Sequence, residues 1–232
     1  MPLREPLAIG QVYHVFNRSI AEYRIFNHEK DLERMRQMIR YYGFKGVPEK
    51  FSRYMDTELV LKNGFWRTFF DFSQGRERMV EIIAYCLMPT HFHLILKQLM
   101  PNGISFFVNQ SCNSYSRFFN TKYKRKGPLW EGRFESVRVE TDEQLLHLTR
   151  YVHLNPVTAG LIELAEQWPA SSYHEYMGNV RREERICEFR GILKIDPLEY
   201  EKFVRDRVGY QRDLARIKAI IANVHPRGVH RA

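Results

Sequence analysis

Two histidines separated by one residue, His91 and His93, are the side chains of this sequence best suited to hold a metal ion. In a β-strand alternate side chains share a face, so both imidazoles point one way while Phe92 and Leu94 point the other. Two neutral imidazoles on one face make half of a site for a divalent metal. An isolated pair is a weak signal, because most strand histidines are packed or solvated, so a second segment must complete the site.

The second segment is a helix predicted over residues 142–155, on which His147, Tyr151 and Asn155 recur every four residues and share one stripe. If this stripe faces the imidazole pair, a phenol and an amide oxygen join it. Tyr151 could then attack a phosphodiester in line and become a covalent phosphotyrosine. Asn155 could supply a third, neutral ligand oxygen to the metal.

A site of two imidazoles and one amide carries no negative charge, which suits an anionic substrate and a loosely held Mg²⁺ or Mn²⁺. Simpler readings stay open for each helix residue. A tyrosine on an amphipathic helix usually belongs to the core or its rim, and His147 could simply be solvated. Pro156 disfavours the α conformation of Asn155, which could turn that side chain away from the stripe.

The surrounding pattern predicts the elements that position these residues. Alternation and helical spacing predict strands over 11–17, 82–88, 91–97 and 133–139, and helices over 29–42, 103–122 and 142–155. The order β-α-β-β-α-β is the split βαβ, ferredoxin-like arrangement, an α+β fold whose antiparallel sheet carries helices on one face. The other face then stays free to hold a site.

Two stretches fall outside this arrangement. Residues 44–80 are rich in aromatics, and Asn63-Gly64 between apolar runs predicts a tight hairpin, hence an inserted flap, with a helical connector as the open alternative. Residues 179–232 predict a basic, helical C-terminal extension. We therefore expect one domain over residues 1–178, carrying the insertion, followed by this extension.

Composition narrows the class of protein. Among the 232 residues Lys and Arg outnumber Asp and Glu by 36 to 27, and the net charge of +9 favours a polyanionic partner. The three cysteines lack CxxC spacing, which excludes a disulfide framework and fits a reducing compartment. Without a long apolar run or a signal-peptide core, we expect a cytoplasmic protein with no membrane partner.

Five segments of the chain carry a family resemblance, which extends over about residues 8–178. They are VYHVFNR at 12–18, MPTHFHL at 88–94, YSRFFN at 115–120, GPLWEGRF at 127–134 and RYVHLNPVTAGL at 150–161. Together they resemble the one-tyrosine HUH transposases, and most closely the REP-associated tyrosine transposases. The chain departs from the family pattern at Thr90, where the family often has Asn, and at Ser19, where it often has Gly.

The resemblance implies a ferredoxin-like nuclease fold that cuts and rejoins single-stranded DNA at hairpin-bearing sites through a 5′-phosphotyrosine, which makes the chain a metal-dependent enzyme. The HUH pair of the family falls on His91 and His93, its nucleophile on Tyr151, and the polar residue one turn later on Asn155. These positions agree with those predicted from residue type and spacing.

A basic run with interleaved aromatics indicates where single-stranded or hairpin DNA would lie. Basic side chains follow phosphates, and aromatic faces stack on unpaired bases. The predicted DNA-binding residues are Lys122, Tyr123, Lys124, Arg125, Lys126, Trp130, Arg133 and Arg138. Trp130 could equally be a core residue.

Two other functions compete with a transposase. One is a domesticated module that binds DNA hairpins and no longer cuts them. The presence of His91, His93 and Tyr151 argues against it, because a protein that no longer cuts DNA would be free to lose these residues. The other is a metallohydrolase that works without a covalent intermediate. Relatives include monomers and dimers that exchange the tyrosine helix, and the long C-terminal extension favours a monomer here, because it could shield that helix in cis.

Overall fold

The computed structural model describes residues 6–209 of the protein. Its strands are β1 (Val12–Arg18), β2 (Val80–Met88), β3 (His91–Gln98) and β4 (Glu135–Val139). Within the described residues these four strands form one antiparallel sheet in the order β2-β3-β1-β4. The helices of the described residues are α1 (Glu29–Tyr42), α2 (Phe51–Met55), α3 (Glu58–Asn63), α4 (Phe65–Ser73), α5 (Gly103–Lys122), α6 (Asp142–Thr158), α7 (Tyr173–Tyr176) and α8 (Pro197–Arg205).

The two faces of the sheet have different roles, because side chains alternate along each strand. On the first face Tyr13 and Phe92 are buried, α5 packs against β2 and β3, and α1 packs against α5. On the second face lie His14, His91 and His93, and α6 packs there against β2 and β3. This arrangement confirms the predicted α+β, ferredoxin-like class. The expected helical cover of one face is provided by α1 and α5, while α6 occupies part of the second.

Most predicted boundaries agree with the structure to within two residues. The helices predicted over 29–42 and 103–122 coincide with α1 and α5. Helix α6 begins as the capping pattern predicts, since the Thr141 hydroxyl oxygen accepts the Gln144 N–H at 3.1 Å. It continues through Pro156 to Thr158, beyond the predicted end at residue 155.

The hairpin predicted at Asn63-Gly64 is wrong, and the helical connector is found instead. Helix α3 ends at Asn63, and Gly64, whose φ is +78°, joins it to α4. The helical spacing of the aromatics decides the outcome, because Phe65 and Phe69 stack in the core with ring centroids 5.4 Å apart. The turn signal of the Asn-Gly pair therefore marks a helix junction rather than a strand reversal.

The C-terminal extension packs on the domain that precedes it. Within the described part of this extension, α8 lies against α6 and buries Tyr200 completely. The predicted helical tail beyond residue 209 lies outside the described residues, and the domain boundary at residue 178 stays a prediction. Within residues 6–209, no helix combines the length and apolar character needed to cross a bilayer.

Candidate active site

Ten residues line a cavity of about 320 Å³ on the second face of the sheet, beside the start of β3. Strand pairing fixes which side chains enter it, because Phe16 pairs with His93 and Arg18 with His91. The lining residues are His14, Phe16, Asn17, Arg18, Glu22, Thr90, His91, His93, Tyr151 and Asn155. All four residues predicted to perform the chemistry are thus brought together.

The imidazole pair and the phenol converge in this cavity. The ring centroids of His91 and His93 are 5.1 Å apart, and that of Tyr151 lies 5.9 Å from His93. The Tyr151 side chain is 44% exposed, although the next three residues of α6 are buried. A substrate in the cavity can therefore reach the phenol and the imidazoles at the same time.

A third histidine, His14, belongs to the cavity and was not predicted. Its Nε2 lies 3.0 Å from Nδ1 of His93, and the two rings stack at 5.1 Å. The alternation of β1 contains the signal for its direction, since His14 and Phe16 share a face. Its partner could not be found from the sequence, because the contact depends on the pairing of β1 with β3.

Burial keeps these imidazoles neutral near pH 7. Burial, and then the neighbouring imidazoles, lower the pKa of His93 to about 2. Burial, and then the charge of Arg18, lower the pKa of His91 to about 4, and burial lowers the pKa of His14 to about 4. A neutral imidazole is the form that binds a metal.

Hydrogen bonds fix which ring nitrogen faces the cavity. The Thr90 hydroxyl oxygen lies 3.0 Å from Nδ1 of His91, and Nε2 of His14 lies 3.0 Å from Nδ1 of His93. The Nε2 atom of each ring is left for a further ligand. Orientation of one ring nitrogen by a partner on the other is the usual arrangement of metal-binding histidines.

Asn155 lies one turn after Tyr151 and lines the same cavity. Because α6 continues through Pro156, that proline does not turn Asn155 away. The Asn155 Nδ2 atom is buried and has no hydrogen-bond partner within the described residues. The amide is therefore free to turn its Oδ1 toward the imidazole pair, and it fits the role of a third, neutral ligand.

The donor set is weak for a metal. Within residues 6–209 there is no cluster of three or more His, Cys, Asp or Glu side chains that could hold a metal ion. The candidate set consists of two imidazoles and an amide oxygen, without a carboxylate. Such a set fits a hard divalent ion that is completed by water and by phosphate oxygens of a substrate.

Two charged residues of the cavity were not predicted either. Arg18 is exposed at its rim and brings positive charge near the imidazole pair. Glu22 also lines the cavity, and it follows Ala21 in a segment where both residues have positive φ, 51° and 54°. Such backbone costs on the order of 1–3 kcal/mol per residue and is concentrated at functional sites.

His147, the first residue of the predicted stripe, does not reach this cavity. It is exposed, and its Nδ1 lies 2.8 Å from Nη2 of Arg150. Its ring instead lies against α8, with its centroid 5.5 Å from that of Phe203. Only Tyr151 and Asn155 of the stripe face the imidazoles.

Two residues of the predicted DNA-binding run are engaged within the protein. The Lys122 ammonium donates to Oδ1 of buried Asp31 at 2.5 Å, and the Tyr123 hydroxyl donates to Oδ2 at 2.6 Å. Burial alone would raise the pKa of Asp31, but the hydrogen bonds from Lys122 and Tyr123 outweigh it and leave the pKa lowered. These two side chains join α5 to α1.

Of the two roles considered for Trp130, the structure supports the core residue, because its ring is buried. It packs against Phe92 at 5.4 Å, and its Nε1 donates to the Cys112 carbonyl oxygen at 3.1 Å. The remaining cations lie nearer the surface. Lys124, Lys126, Arg133 and Arg138 are exposed, while Arg125 is half-buried against Tyr23.

Comparison with known proteins finds similarity to one group of transposases. Residues 61–155 match the family model described as "Transposase IS200 like". A putative REP-associated tyrosine transposase of Haemophilus influenzae is 27% identical over 107 residues, which cover 40% of this chain and 59% of that protein. The REP-associated tyrosine transposase of Escherichia coli K12 is 26% identical over 99 residues, which cover 43% and 58%. The chain thus matches less than two thirds of the length of these curated relatives.

A solved structure agrees with the fold. The structure of a REP-associated tyrosine transposase bound to a REP hairpin matches with a TM-score of 0.50 at 14% identity, covering 82% of this chain and 93% of that chain. At this identity the match supports the shared fold. These comparisons agree with the resemblance found in the sequence: the chain is similar to the REP-associated tyrosine transposases, and its residues 61–155, which include the imidazole pair and Tyr151, match the IS200-like transposase model.

Proposed function

We propose that this protein cuts and rejoins single-stranded DNA beside hairpins through a covalent phosphotyrosine at Tyr151. The observation that carries the proposal is the convergence of a half-exposed phenol with the imidazoles of His91 and His93 in one cavity. A nucleophile, neutral metal ligands and a cation, Arg18, then surround the position of a scissile phosphate. This arrangement supports transfer of a phosphodiester to the tyrosine.

In the proposed reaction the Tyr151 oxygen loses its proton and forms a bond to phosphorus. The bond from phosphorus to the 3′ oxygen breaks, and that oxygen takes up a proton and leaves as a hydroxyl. The 5′ phosphate stays on the tyrosine. Attack by a 3′ hydroxyl of another strand end reverses these bonds and joins the two ends.

His91, His93 and Asn155 would hold Mg²⁺ or Mn²⁺ in this proposal. When bound, the ion would polarise a phosphate oxygen and offset the charge that develops in the transition state. The other roles belong to residues of the protein. His14 and Thr90 orient the imidazole rings, and Arg18 attracts the anionic strand toward the phenol.

We propose hairpin-bearing single-stranded DNA as the substrate because a protein of the same fold is solved with a REP hairpin. The exposed cations Lys124, Lys126 and Arg133 add a surface that can follow phosphates outside the cavity.

The test is covalent capture of DNA. The full chain is incubated with Mg²⁺ or Mn²⁺ and a labelled DNA hairpin that carries a single-stranded flank, and protein–DNA adducts are resolved under denaturing conditions. Tyr151→Phe should abolish the adduct without weakening hairpin binding. Tyr23→Phe is the matched control, because Tyr23 is similarly exposed at 48% and should retain the adduct.

The outcomes separate the competing functions. An undiminished adduct in Tyr151→Phe would refute the role given to Tyr151. Cleavage without an adduct, retained in Tyr151→Phe, would indicate a metallohydrolase. Tight hairpin binding in chelator with no product in any metal would identify a non-catalytic DNA-binding module.

A further inference from the structure

A second cavity, of about 370 Å³, lies at the other end of the sheet from the candidate active site. The active site borders the start of β3, whereas this cavity includes Arg78, two residues before β2 begins. Because β2 and β3 are antiparallel and Val80 pairs with Gln98, the start of β2 lies opposite the end of β3. The reaction proposed above uses none of its residues.

Arginines dominate the lining of this cavity, which we name the arginine cavity. They come from the end of α1, from the segment between α4 and β2, and from residues 182–190 of the C-terminal extension. Six arginines and two glutamates line it: Arg40, Arg76, Arg78, Arg182, Arg185, Arg190, Glu175 and Glu188. The positive charge is therefore concentrated from three parts of the sequence that only the fold brings together.

Both glutamates already have partners. Glu188 accepts a hydrogen bond from Nη2 of Arg78 at 2.6 Å. The Glu175 Oε2 accepts the backbone N–H groups of Ile186 and Cys187 at 2.9 and 2.8 Å, which holds the start of the extension in place. These carboxylates cannot balance all six guanidinium groups.

Arg40 is the buried member of the set. It is 6% exposed, and within the described residues it makes no ion pair at 4.0 Å or less. Its Nη2 donates one long hydrogen bond, 3.4 Å, to the Ser73 hydroxyl, and its Nε is buried without a partner. Burial, and then repulsion by Arg78, lower its pKa to about 10. A buried guanidinium without a close anion is costly unless a partner arrives.

Aromatic rings line the arginine cavity and hold two of its guanidinium groups in place. The guanidinium of Arg40 lies 5.0 Å from the Phe44 ring centroid, and that of Arg182 lies 5.6 Å from the Phe70 ring centroid. Cation–π contacts of this kind hold a guanidinium in place without neutralising it. These guanidinium groups therefore remain able to bind an anion.

We propose that the arginine cavity binds a phosphate group. Planar guanidinium forks match the oxygens of phosphate, and several of them converge here on a volume large enough for one or two phosphates. The phosphate can come from a DNA strand that extends beyond the active site or from a small phosphate compound. In either case it supplies the anion that Arg40 lacks.

The test measures phosphate binding on the full chain in chelator, so that the result does not depend on cleavage. Inorganic pyrophosphate and an unstructured single-stranded oligonucleotide are titrated separately by calorimetry. The cavity variant is Arg182→Gln/Arg190→Gln, which changes two exposed residues. Arg53→Gln/Lys62→Gln is the control, because it removes the same charge from exposed positions outside the cavity.

We expect the cavity variant to lose about tenfold or more in affinity, since it removes charge-assisted hydrogen bonds to phosphate, and the control to lose less than about twofold. A loss confined to pyrophosphate assigns the cavity to a small phosphate compound. A loss confined to the oligonucleotide, or competition between the two ligands, assigns it to a DNA strand. If neither ligand distinguishes the cavity variant from the control, the proposal is overturned.

The variant Arg40→Met provides a second, independent experiment. Replacing an unpaired buried charge by an apolar side chain should leave the unliganded protein at least as stable. In the wild type pyrophosphate or the oligonucleotide should raise the melting temperature, and this rise should be smaller in Arg40→Met. An equal rise in both proteins would contradict a role for Arg40 in holding the anion.

Discussion

The hydroxyl oxygen of Tyr200 lies 2.7 Å from Nδ1 of His153 and so joins α8 to the helix that carries Tyr151. The same hydroxyl donates to the Thr149 hydroxyl oxygen at 3.0 Å, and His153 Nε2 lies 2.7 Å from the Ser172 hydroxyl oxygen. Both ring nitrogens of His153 therefore have a hydrogen-bonding partner. The buried side of α6 is thus held by a network that reaches into the C-terminal extension.

Tyr200→Phe should lower the free energy of unfolding by about 1–3 kcal/mol. The substitution keeps the ring but leaves the buried Nδ1 of His153 without its partner and removes one of the two hydrogen bonds of the Thr149 hydroxyl. Chemical denaturation measures the change. Leu198→Ala on the same helix is the control, because Leu198 is 74% exposed and its removal should cost less than about 0.5 kcal/mol. Equal effects of the two variants would show that the network contributes little.

Stability should fall as the solution becomes acidic, partly through His153. Burial lowers the pKa of His153 in the folded protein from 6.5 to about 3. Between these values the unfolded chain binds a proton that the folded protein does not. The contribution is therefore complete above about pH 6.5 and is lost toward pH 3, by at most about 1.4 kcal/mol per pH unit.

Urea unfolding of His153→Gln at several pH values between 7.5 and 4 checks this dependence. The variant should show a shallower loss of stability than the wild type, while the lowered pKa values of His14, His91 and His93 preserve part of the slope. A slope unchanged in His153→Gln would contradict the prediction.

Gly103→Ala should destabilise the fold by about 1–3 kcal/mol. A Cβ at this position would lie 2.4 Å from the Met79 carbonyl oxygen, so the start of α5 or the start of β2 must move. Gly132→Ala is the control, since a Cβ there meets nothing within 4 Å. Thermal unfolding compares the two variants, and a melting temperature for Gly103→Ala equal to that of the control would refute the close approach.

His14→Phe should reduce the proposed DNA cleavage by about 10- to 100-fold while leaving hairpin binding in chelator unchanged. The ring is kept, but the nitrogen that orients His93 is removed, and removal of such an orienting group usually weakens metal binding or activity to this extent. Cleavage is measured as Mn²⁺ is titrated. His147→Phe should behave as the wild type. Full activity of His14→Phe at low Mn²⁺ would eliminate the orienting role.

The basic run should separate into a structural part and a DNA-facing part. Lys124→Gln/Lys126→Gln changes exposed side chains, so stability should stay within about 0.5 kcal/mol. The dependence of log K for single-stranded DNA on log salt should become shallower by about 0.7 for each phosphate that the variant no longer neutralises. Lys122→Gln should show the opposite pattern, with lower stability and little change in salt dependence, because Lys122 pairs with buried Asp31.

The grouping of the candidate site residues follows from local periodicity, and for that reason it was accessible from the sequence. Alternation placed His91 and His93 on one face, and helical spacing placed Tyr151 and Asn155 on one stripe. His14 was missed because its contact joins positions 79 residues apart and requires the register of two strands. No pattern within one segment contains that information.

The errors have the same origin. Trp130 and Lys122 stand in a segment whose composition suits DNA, yet their partners, the Cys112 carbonyl and Asp31, lie elsewhere in the chain. The Asn63-Gly64 pair predicts a turn by local preference, and the packing of Phe65 and Phe69 decides for helices instead. Tertiary contacts outweigh local propensity in each case.

The neighbours of Tyr151 on α6 limit how the phenol can move. Val152 and His153 are fully buried, and His153 is bonded at both ring nitrogens, so rolling the helix about its axis would pull apart several interactions in the interior. A DNA strand attached to Tyr151 would therefore move only by rotation about the side-chain bonds of Tyr151, while the backbone of α6 stays in place. Exchange of one DNA end for another would then require the DNA to move past a tyrosine whose backbone position is fixed.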